Sequence, residues 1–557
     1  MRIFSLFTLL CPSLSIFLRN PCTPVYIALR QQNTHVLPKM LRTLSDPISP
    51  FYGDWLTASE LHHSIDAKQS DQQQVMQWIS SYHVENLINH GDAISFCSSP
   101  ASLVTMFNIP IQFSGSTLSL KNYTIPTYLT NSIDFVEMYS TENGFGVKQR
   151  TAVTHHSVDD RYFGIESLKN VYHTPSEIIN SSISTAAIEF QNNQGYTDAD
   201  MNAQRTLNGM TSSGVERNIG GNVGTDIESE LDIQMLSMAN GNTALWYWNN
   251  PYWLYSFAVE FEKTLEKPNI ISLSWGWSER KQCDIVDCVN FTSEQYVARV
   301  NTEFLKMALQ GTTIVVSSGD AGAPGRTNEG CDSDSPINPV FPGSSPYVLS
   351  IGATYVVKDN STSHYTSPLC NNQSCVTGNV EGTISYDNVG WTAGGGFDSY
   401  HNSTPWWQAK AVNVYLTSGV ILPPLSNFNS RGRAYPDVAA VGHNCPTVIN
   451  NRLTGIDGTS CSAPLFGGLL TYVWDTLWKA HNIKLGFANP LLYYIHEHCS
   501  DCFHDIESGY NWCTEGECCD NKTNYGFSST AGYDPVTGLG TPNVEKLIRY
   551  ISAMKSK

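Results

Sequence analysis

Positive charge is scarce in this chain. Lys and Arg number 32 against 50 Asp and Glu, a formal net charge of −18 with a sequence pI near 5.2. So few cations leave no footprint for nucleic acid or for an anionic membrane surface. The balance suits an acidic compartment, where protonating carboxylates relieves self-repulsion. Long apolar runs are also missing. After the opening MRIFSLFTLLCPSLSIFL, no stretch is apolar for long enough to span a bilayer, which excludes stable membrane insertion. That opening, with one Arg followed by an apolar run, makes residues 1–20 resemble a signal peptide, although no small-x-small cleavage site stands out. What is plentiful points the same way. Fifteen Cys and the sequons at Asn122, Asn180, Asn290, Asn360, Asn372, Asn402 and Asn521 indicate the secretory pathway. With 557 residues, 41% hydrophobic and 11% aromatic, the chain can fold into two or three domains with real cores.

The most informative stretch is Thr454–Gly468, TGIDGTSCSAPLFGG. Ser460 lies among small residues, and behind it Leu465, Phe466, Leu469, Leu470, Val473, Trp474 and Leu477 recur at helical spacing. Pro464 fits the first turn of that helix, where its missing N–H is harmless. A hydroxyl at a helix N-terminus, open on both sides, sits where developing negative charge is favoured. That is a nucleophile's position, and equally that of a Ser capping a core helix. G-T-S-x-S-A-P resembles the nucleophile loop of subtilisin-like serine peptidases. The histidine base in H-G-T-H and the early D-[ST]-G aspartate of those enzymes are absent, as is the G-x-S-x-G elbow. Any base must be of another kind.

In chain order, residues 24–145 read as a small α+β unit. VYIALRQQ is a strand, HVLPKMLRTLSDP an amphipathic helix closed by Pro47, and QQQVMQWISSYH a second helix. Short strands are expected around Ile94–Phe107 and Ile111–Leu120. Residues 146–160, within the polar TENGFGVKQRTAVTHHSVDD, read as a linker or processing segment. From 161 to 557 strands alternate with helices: Ala186–Phe190, helix Glu228–Met238, Asn269–Trp275, helix Glu294–Leu309, Thr312–Ser318 and Pro346–Thr354. This predicts an α/β fold, a parallel sheet with helices on both faces and function at the strands' C-terminal ends.

Two carboxylates, Glu228 and Asp232, share one face of a helix at i and i+4. Close together and partly buried, they would share a proton. Thr225-Asp-Ile-Glu228 also fits a capping box, with Asp232 simply solvated. Asp320 ends a buried strand in SSGDAGAPG, where a turn-forming Asp is equally at home.

Together these motifs resemble the sedolisin family, the serine-carboxyl peptidases, and within it most closely the lysosomal tripeptidyl-peptidases. ALRQQN (28–33) and SDPISPFYGDWLT (45–57) are similar to that family's propeptide. ESELD (228–232), RVNTEFLKMALQG (299–311), SSGDAGA (317–323), FPGSSPYV (341–348), GGGF (394–397), GRAYPDVAA (432–440), GTSCSAP (458–464) and YDPVTGLGTPN (533–543) are similar to its peptidase domain. The resemblance implies a subtilisin-like sheet preceded by a ferredoxin-like propeptide domain. It implies Ser460 as nucleophile, Glu228 as general base, Asp232 as the residue orienting it and Asp320 in the oxyanion hole. A carboxylate base suits acid, where His is protonated; a protonated Asp320 could donate to an oxyanion.

The resemblance also implies a calcium site from the carboxylates of Asp505 and Asp534 and the carbonyls of Ile506, Thr530 and Gly532; two loop aspartates making turns would look the same. Relatives often carry Gly at the position of Thr530. Where close relatives carry a Cys after SSGDAGA, Pro324-Gly325 stands here, so that disulfide is lost or rerouted, with Cys331 a candidate. Cys499-x-x-Cys502 reads as a disulfide or two unrelated thiols rather than redox machinery. The implied protein is a secreted or lysosomal zymogen, held by its own propeptide and releasing tripeptides from polypeptide N-termini in an acidic vesicular compartment. Acid endopeptidase activity and a catalytically inactive binding protein are the alternatives.

Overall fold

The computed structural model describes residues 22–110, 112–114, 117–119, 122–138, 163–175, 179, 182–190, 195–210, 214–327, 337–356, 381–512 and 526–554. The N-terminal stretch 1–20, the linker 146–160 and Cys331 lie outside the described residues.

The N-terminal unit runs β1 (Thr23–Leu29), α1 (Leu37–Ser45), α2 (Ala58–Ile65), α3 (Gln69–Ile79), β2 (Glu85–Asn89), β3 (Ala93–Ser98), α4 (Pro100–Met106) and β4 (Ile133–Met138). Its antiparallel sheet has the order β2-β3-β1-β4, the ferredoxin-like arrangement. A strand expected to reach Phe107 instead ends at Ser98: Ser99 caps the next segment by accepting from Ser102 N, and Pro100 occupies the first helical turn, so α4 forms. Strand alternation gives β1 two jobs. Val25, Ile27 and Leu29 pack on the unit's own core, while Tyr26 and Ala28 join Phe135 against Tyr255, Phe291 and Tyr296 of the larger unit.

The larger unit has one eight-stranded mixed sheet. Its strands are β5 (Ser184–Phe190), β6 (Arg217–Ile219), β7 (Ala244–Asn250), β8 (Ile270–Leu273), β9 (Thr313–Ser317), β10 (Leu349–Val356), β11 (Glu381–Thr383) and β12 (Val438–Val441). The order is β11-β10-β9-β8-β5-β7-β6, with β12 parallel to β10 and only β11 antiparallel. Both faces are covered, as buried strands require. Ile270 and Val315 meet α5 (Ile227–Ala239) and α8 (Thr459–His481). Ile271, Ile314 and Val316 meet α6 (Leu254–Lys263) and α7 (Ser293–Leu309).

A buried ionic clamp joins the two units. Arg299 of α7 donates to Leu29 O at 2.6 Å, Asp92 O at 2.9 Å, Asp134 Oδ2 at 3.1 Å and Glu303 Oε1 at 2.7 Å. Lys306 donates to Asp92 Oδ2 at 2.8 Å and Glu303 Oε2 at 2.6 Å. These are the charged residues of the 299–311 motif, and they hold the N-terminal unit rather than any reacting group. Trp55 adds an anchor, its indole donating to Lys484 O at 2.9 Å.

Removing one member of a buried pair leaves the other charge uncompensated, which costs about 3–5 kcal/mol. Asp92→Asn is therefore expected to lower the denaturant midpoint of the intact chain while leaving each unit's secondary structure in place; an unchanged midpoint would remove the clamp's role in docking.

Candidate active site

The site lies where α8 begins, at the C-terminal ends of β8 and β9. Gly458 caps α8 with φ of 152°, a conformation open to glycine alone. Its Cα faces the chemistry: a Cβ built there would lie 3.6 Å from Asp320 Oδ2 and 3.7 Å from Ser460 Cβ. The helix starts at Thr459, so Pro464 sits in its second turn and not its first. The N–H that Pro464 lacks would have bonded the Ser460 carbonyl; Ser274 Oγ donates to that carbonyl instead, at 3.3 Å. A disulfide joins Cys461 to Cys445 beside the nucleophile candidate. Of the other cysteines, Cys499 and Cys502 are bonded to one another, which settles the C-x-x-C as a disulfide.

Helix α5 runs against α8 at close range. A Cβ on Gly468 would come 2.5 Å from Ala239 Cβ, so only glycine permits the approach. Asp226 caps α5, accepting from Glu228 N and Ser229 N. The cap is thus Asp226 rather than Thr225, and Glu228 is not needed to cap anything. Glu228 and Asp232 are both buried, at 2% and 0% exposure, so Asp232 is not a solvated surface charge.

Burial pushes Glu228 up to about 8; the Ser460 hydroxyl pulls the other way. Neither Glu228 oxygen makes a hydrogen bond of good geometry, so Ser460 acts from the edge of bonding reach. Burial, with Glu189 and Glu228 beside it, holds Asp232 well above the carboxylate range, and Ser274 opposes. No histidine is among the principal groups acting on Glu228 or Asp232.

The third member, Glu189, was not singled out by the sequence. It is fully buried in β5, accepts from Trp275 Nε1 at 2.9 Å and is raised by its burial and by Glu228. Its signal was a single acid inside STAAIEF, a strand otherwise free of charge. Three adjacent buried carboxyls cannot all ionise. The Ser460 hydroxyl and the Arg326 guanidinium both favour charge on Glu228, and burial outweighs them.

Asp320 Oδ1 accepts from Thr459 N at 2.8 Å and Thr459 Oγ1 at 2.7 Å. Oδ2 faces Gly458 and lies 3.6 Å from Arg326 Nη2. Asp320, Ser460 and Glu228 thus converge on one spot, Asp232 backing Glu228.

Asp505, Ile506, Thr530, Gly532 and Asp534 come together elsewhere. Asp534 is fully buried and accepts from Thr530 N, Val536 N and Thr537 N. Gly532 N donates to Asp505 Oδ2 at 2.5 Å. Burial pushes Asp534 up to about 7, and Asp505 adds to the rise. A buried carboxyl of Asp534 beside the exposed carboxyl of Asp505 offers acidic oxygens of the kind an oxygen-seeking cation takes.

The chain is similar to known proteins along most of its length. The Pro-kumamolisin activation domain matches residues 20–141 and the Subtilase family residues 231–484. Physarolisin of Physarum polycephalum is 33% identical over 95% of this chain and 94% of its own. Tripeptidyl-peptidase 1 of Canis lupus familiaris and of Homo sapiens are each 29% identical over 94% of this chain and 90% of theirs. A solved structure, Pseudomonas sedolisin (a serine-carboxyl proteinase) complexed with two molecules of pseudo-iodotyrostatin, shares the fold. Its TM-score is 0.53, at 22% identity over 71% of this chain and 99% of that one.

Glu228 raised to about 8 and Glu279 raised to about 7 by burial beside Asp398 bind protons in the folded chain that an unfolded Glu, near 4.3, has released. Their stabilisation is complete below about pH 4 and lost as pH rises toward the folded values. The melting temperature should therefore fall between about pH 5 and pH 8, as scanning calorimetry would show; a rise over that window contradicts the assignment of these buried carboxyls. Taken with the activation domain and the full-length similarity, the convergence of Ser, Glu and Asp places this chain in the sedolisin family of serine peptidases.

Proposed function

We propose that this chain is a zymogen of an acid-active tripeptidyl-peptidase. The observation that carries it is the facing of Ser460 and Glu228 across α8 and α5, each buried and each acting on the other. Ser460 Oγ attacks the peptide carbonyl and Glu228 takes its proton, returning it to the leaving amine. An acyl-enzyme forms on Ser460 and water releases the product. Asp232 orients Glu228 and shares its charge. Protonated Asp320 donates from Oδ2 to the oxyanion; an ionised carboxyl would repel it. A base held near 8 is neutral in acid, so maturation must relieve the burial of Glu228 and let it ionise. Residues 24–145 are the propeptide, 146–160 the processing segment and 161–557 the peptidase. Release of tripeptides is supported by 29% identity along nearly the whole chain to tripeptidyl-peptidase 1. Residues 1–20 as a signal peptide, and the described sequons Asn122, Asn290 and Asn402, all exposed, support glycosylation and delivery to a lysosome or similar acidic vesicle.

Incubating the precursor with a long unfolded peptide in acid and reading the products by mass spectrometry tests this. Three-residue steps from the free N-terminus are expected; internal cuts would make it an acid endopeptidase. Ser460→Ala should abolish cleavage and self-processing, and Glu228→Gln should lower kcat by at least ~10²-fold. Maturation of purified S460A would exclude Ser460 as nucleophile.

Calcium would be held by Asp505, Asp534 and the carbonyls of Ile506, Thr530 and Gly532. It would neutralise the paired carboxyls and fix a loop that packs on β12, where Leu539 N donates to Asp437 O at 2.8 Å. Its role is structural. Chelation and Asp534→Ala are expected to lower the melting temperature and remove metal from the purified chain; unchanged melting with no calcium by elemental analysis would reject the site.

A further inference from the structure

Helix α5 is polar on two opposite faces. Glu228 and Asp232 lie on the face toward Ser460. Glu230 and Gln234, each two residues further on, are turned about 200° away around the helix, and both are fully buried. The proposed chemistry uses the first pair and leaves the second without a task.

The second face grips a hairpin, whose strands Cys445–Ile449 and Arg452–Ile456 pair antiparallel. Val448 directs its N–H and C=O toward α5, and the Gln234 amide takes both. Gln234 Oε1 accepts from Val448 N at 2.8 Å, and Gln234 Nε2 donates to Val448 O at 2.8 Å. Nε2 also donates to Glu230 Oε2 at 2.8 Å. A planar amide thus pairs with the strand as a further strand would. Val448 is buried, so losing the amide leaves two backbone groups unpaired rather than hydrated. At the hairpin's tip Asn450 and Asn451, with φ of 52° and 59°, form the two-residue turn. Their N–H groups donate to Asp200 at 2.8 and 2.6 Å. Asp200 belongs to the helix Asp198–Leu207, whose capping residue Thr197 donates its N–H to Glu230 Oε1 at 2.7 Å. Both grips on the hairpin therefore run back to α5.

The other end of the hairpin delivers the nucleophile. The chain enters at Gly442 and leaves at Gly458, and Gly458 N donates to Gly442 O at 2.9 Å. Cys445 of the first strand is bonded to Cys461, next to Ser460. Helix α5 thus reaches Ser460 twice, directly through Glu228 and by way of the hairpin from Gln234. We infer that Gln234 is a positioning residue for the peptidase reaction: by pairing with Val448 it holds the hairpin, and through it Ser460, in register with Glu228. The inference rests on the peptidase reading above.

The test compares acid-matured wild type, Gln234→Leu and Gln234→Glu on one peptide. kcat and KM are resolved across pH, and folding is followed by circular dichroism in the same buffers. Q234L keeps the bulk and loses both bonds. Misplacement of reacting groups by about 1 Å costs up to ~10²-fold, and a kcat about tenfold lower with KM within about twofold is expected. Q234E carries its own control. A protonated carboxyl has a donor and an acceptor in one plane, as the amide does; an ionised one has acceptors only. The charged groups around position 234 are Glu230, Asp200 and Arg205, which donates to Ser237 one turn along α5. Burial raises Glu230 to about 7, and a second carboxyl beside it stays neutral in acid. The kcat ratio of Q234E to wild type should be near one in acid and fall about tenfold toward neutral pH, with the chain still folded. A Q234L with wild-type kcat, a Q234E ratio flat with pH, a loss that follows unfolding, or a Q234E that fails to fold in acid overturns the inference; Q234E decides where Q234L misfolds. A wild type that cleaves no peptide in acid sinks the peptidase reading and this inference with it.

Discussion

Three carboxyl groups lie side by side in the interior, Glu189, Glu228 and Asp232, and they can do so only by sharing protons. Much of the architecture follows from that constraint. Helix α5 is buried nearly all round because it must bring Glu228 and Asp232 against β5 and α8. Asp226 takes over the capping of α5, and the Glu228 side chain lies beside Ser460. Trp275 closes the far side by donating to Glu189. On the other flank Gly468 lets α8 approach Ala239, and Ser274 satisfies the carbonyl that Pro464 leaves without its helical donor. A histidine relay could stand in a wetter, more open site.

The same economy appears at the junction between the units. Arg299 and Lys306 sit on α7, far in sequence from Ser460, and spend their charge on Asp92, Asp134 and the backbone of β1. Motif residues are thus split between two tasks: ESELD and GTSCSAP build the reacting centre, while RVNTEFLKMALQG grips the activation domain. The clamp is desolvated, and Lys306 with Arg299 holds the Asp92 carboxyl well below the usual range despite burial. It therefore stays ionised through mild acid, and release of the activation domain must begin elsewhere.

Much of this was legible in the sequence where burial imposes pattern. The core strands NIISLSW and TTIVVSS are continuous apolar runs, and β8 and β9 lie inside them. Helices α5, α7 and α8 were visible from periodic apolar residues. Less was legible where local chemistry outweighs pattern. Strand β7 went unread because WYWNN mixes aromatics with Asn. Helix α2 depends on a Thr57–Glu60 capping box with little apolar periodicity. Helix α4 was read as strand because its one stop-and-start signal, Ser99-Pro100, was passed over. Ser460, Glu228, Asp232 and Asp320 stand out in the sequence because motif and spacing carry them. Glu189 does not, since a lone acid in a strand gains its carboxyl neighbours only when the fold brings them to it.

The central proposal is that the Asp320 carboxyl, when it carries a proton, supplies the oxyanion donor beside Ser460. It is tested most directly by the pH profile of kcat/KM for matured wild type and Asp320→Asn on one peptide. An amide donates at any pH and a carboxyl only when protonated. D320N should therefore be slower in acid yet lose less activity on the alkaline side, its limb displaced to higher pH. Coincident alkaline limbs with equal rates would contradict the claim and return Asp320 to a turn-forming role beside Thr459.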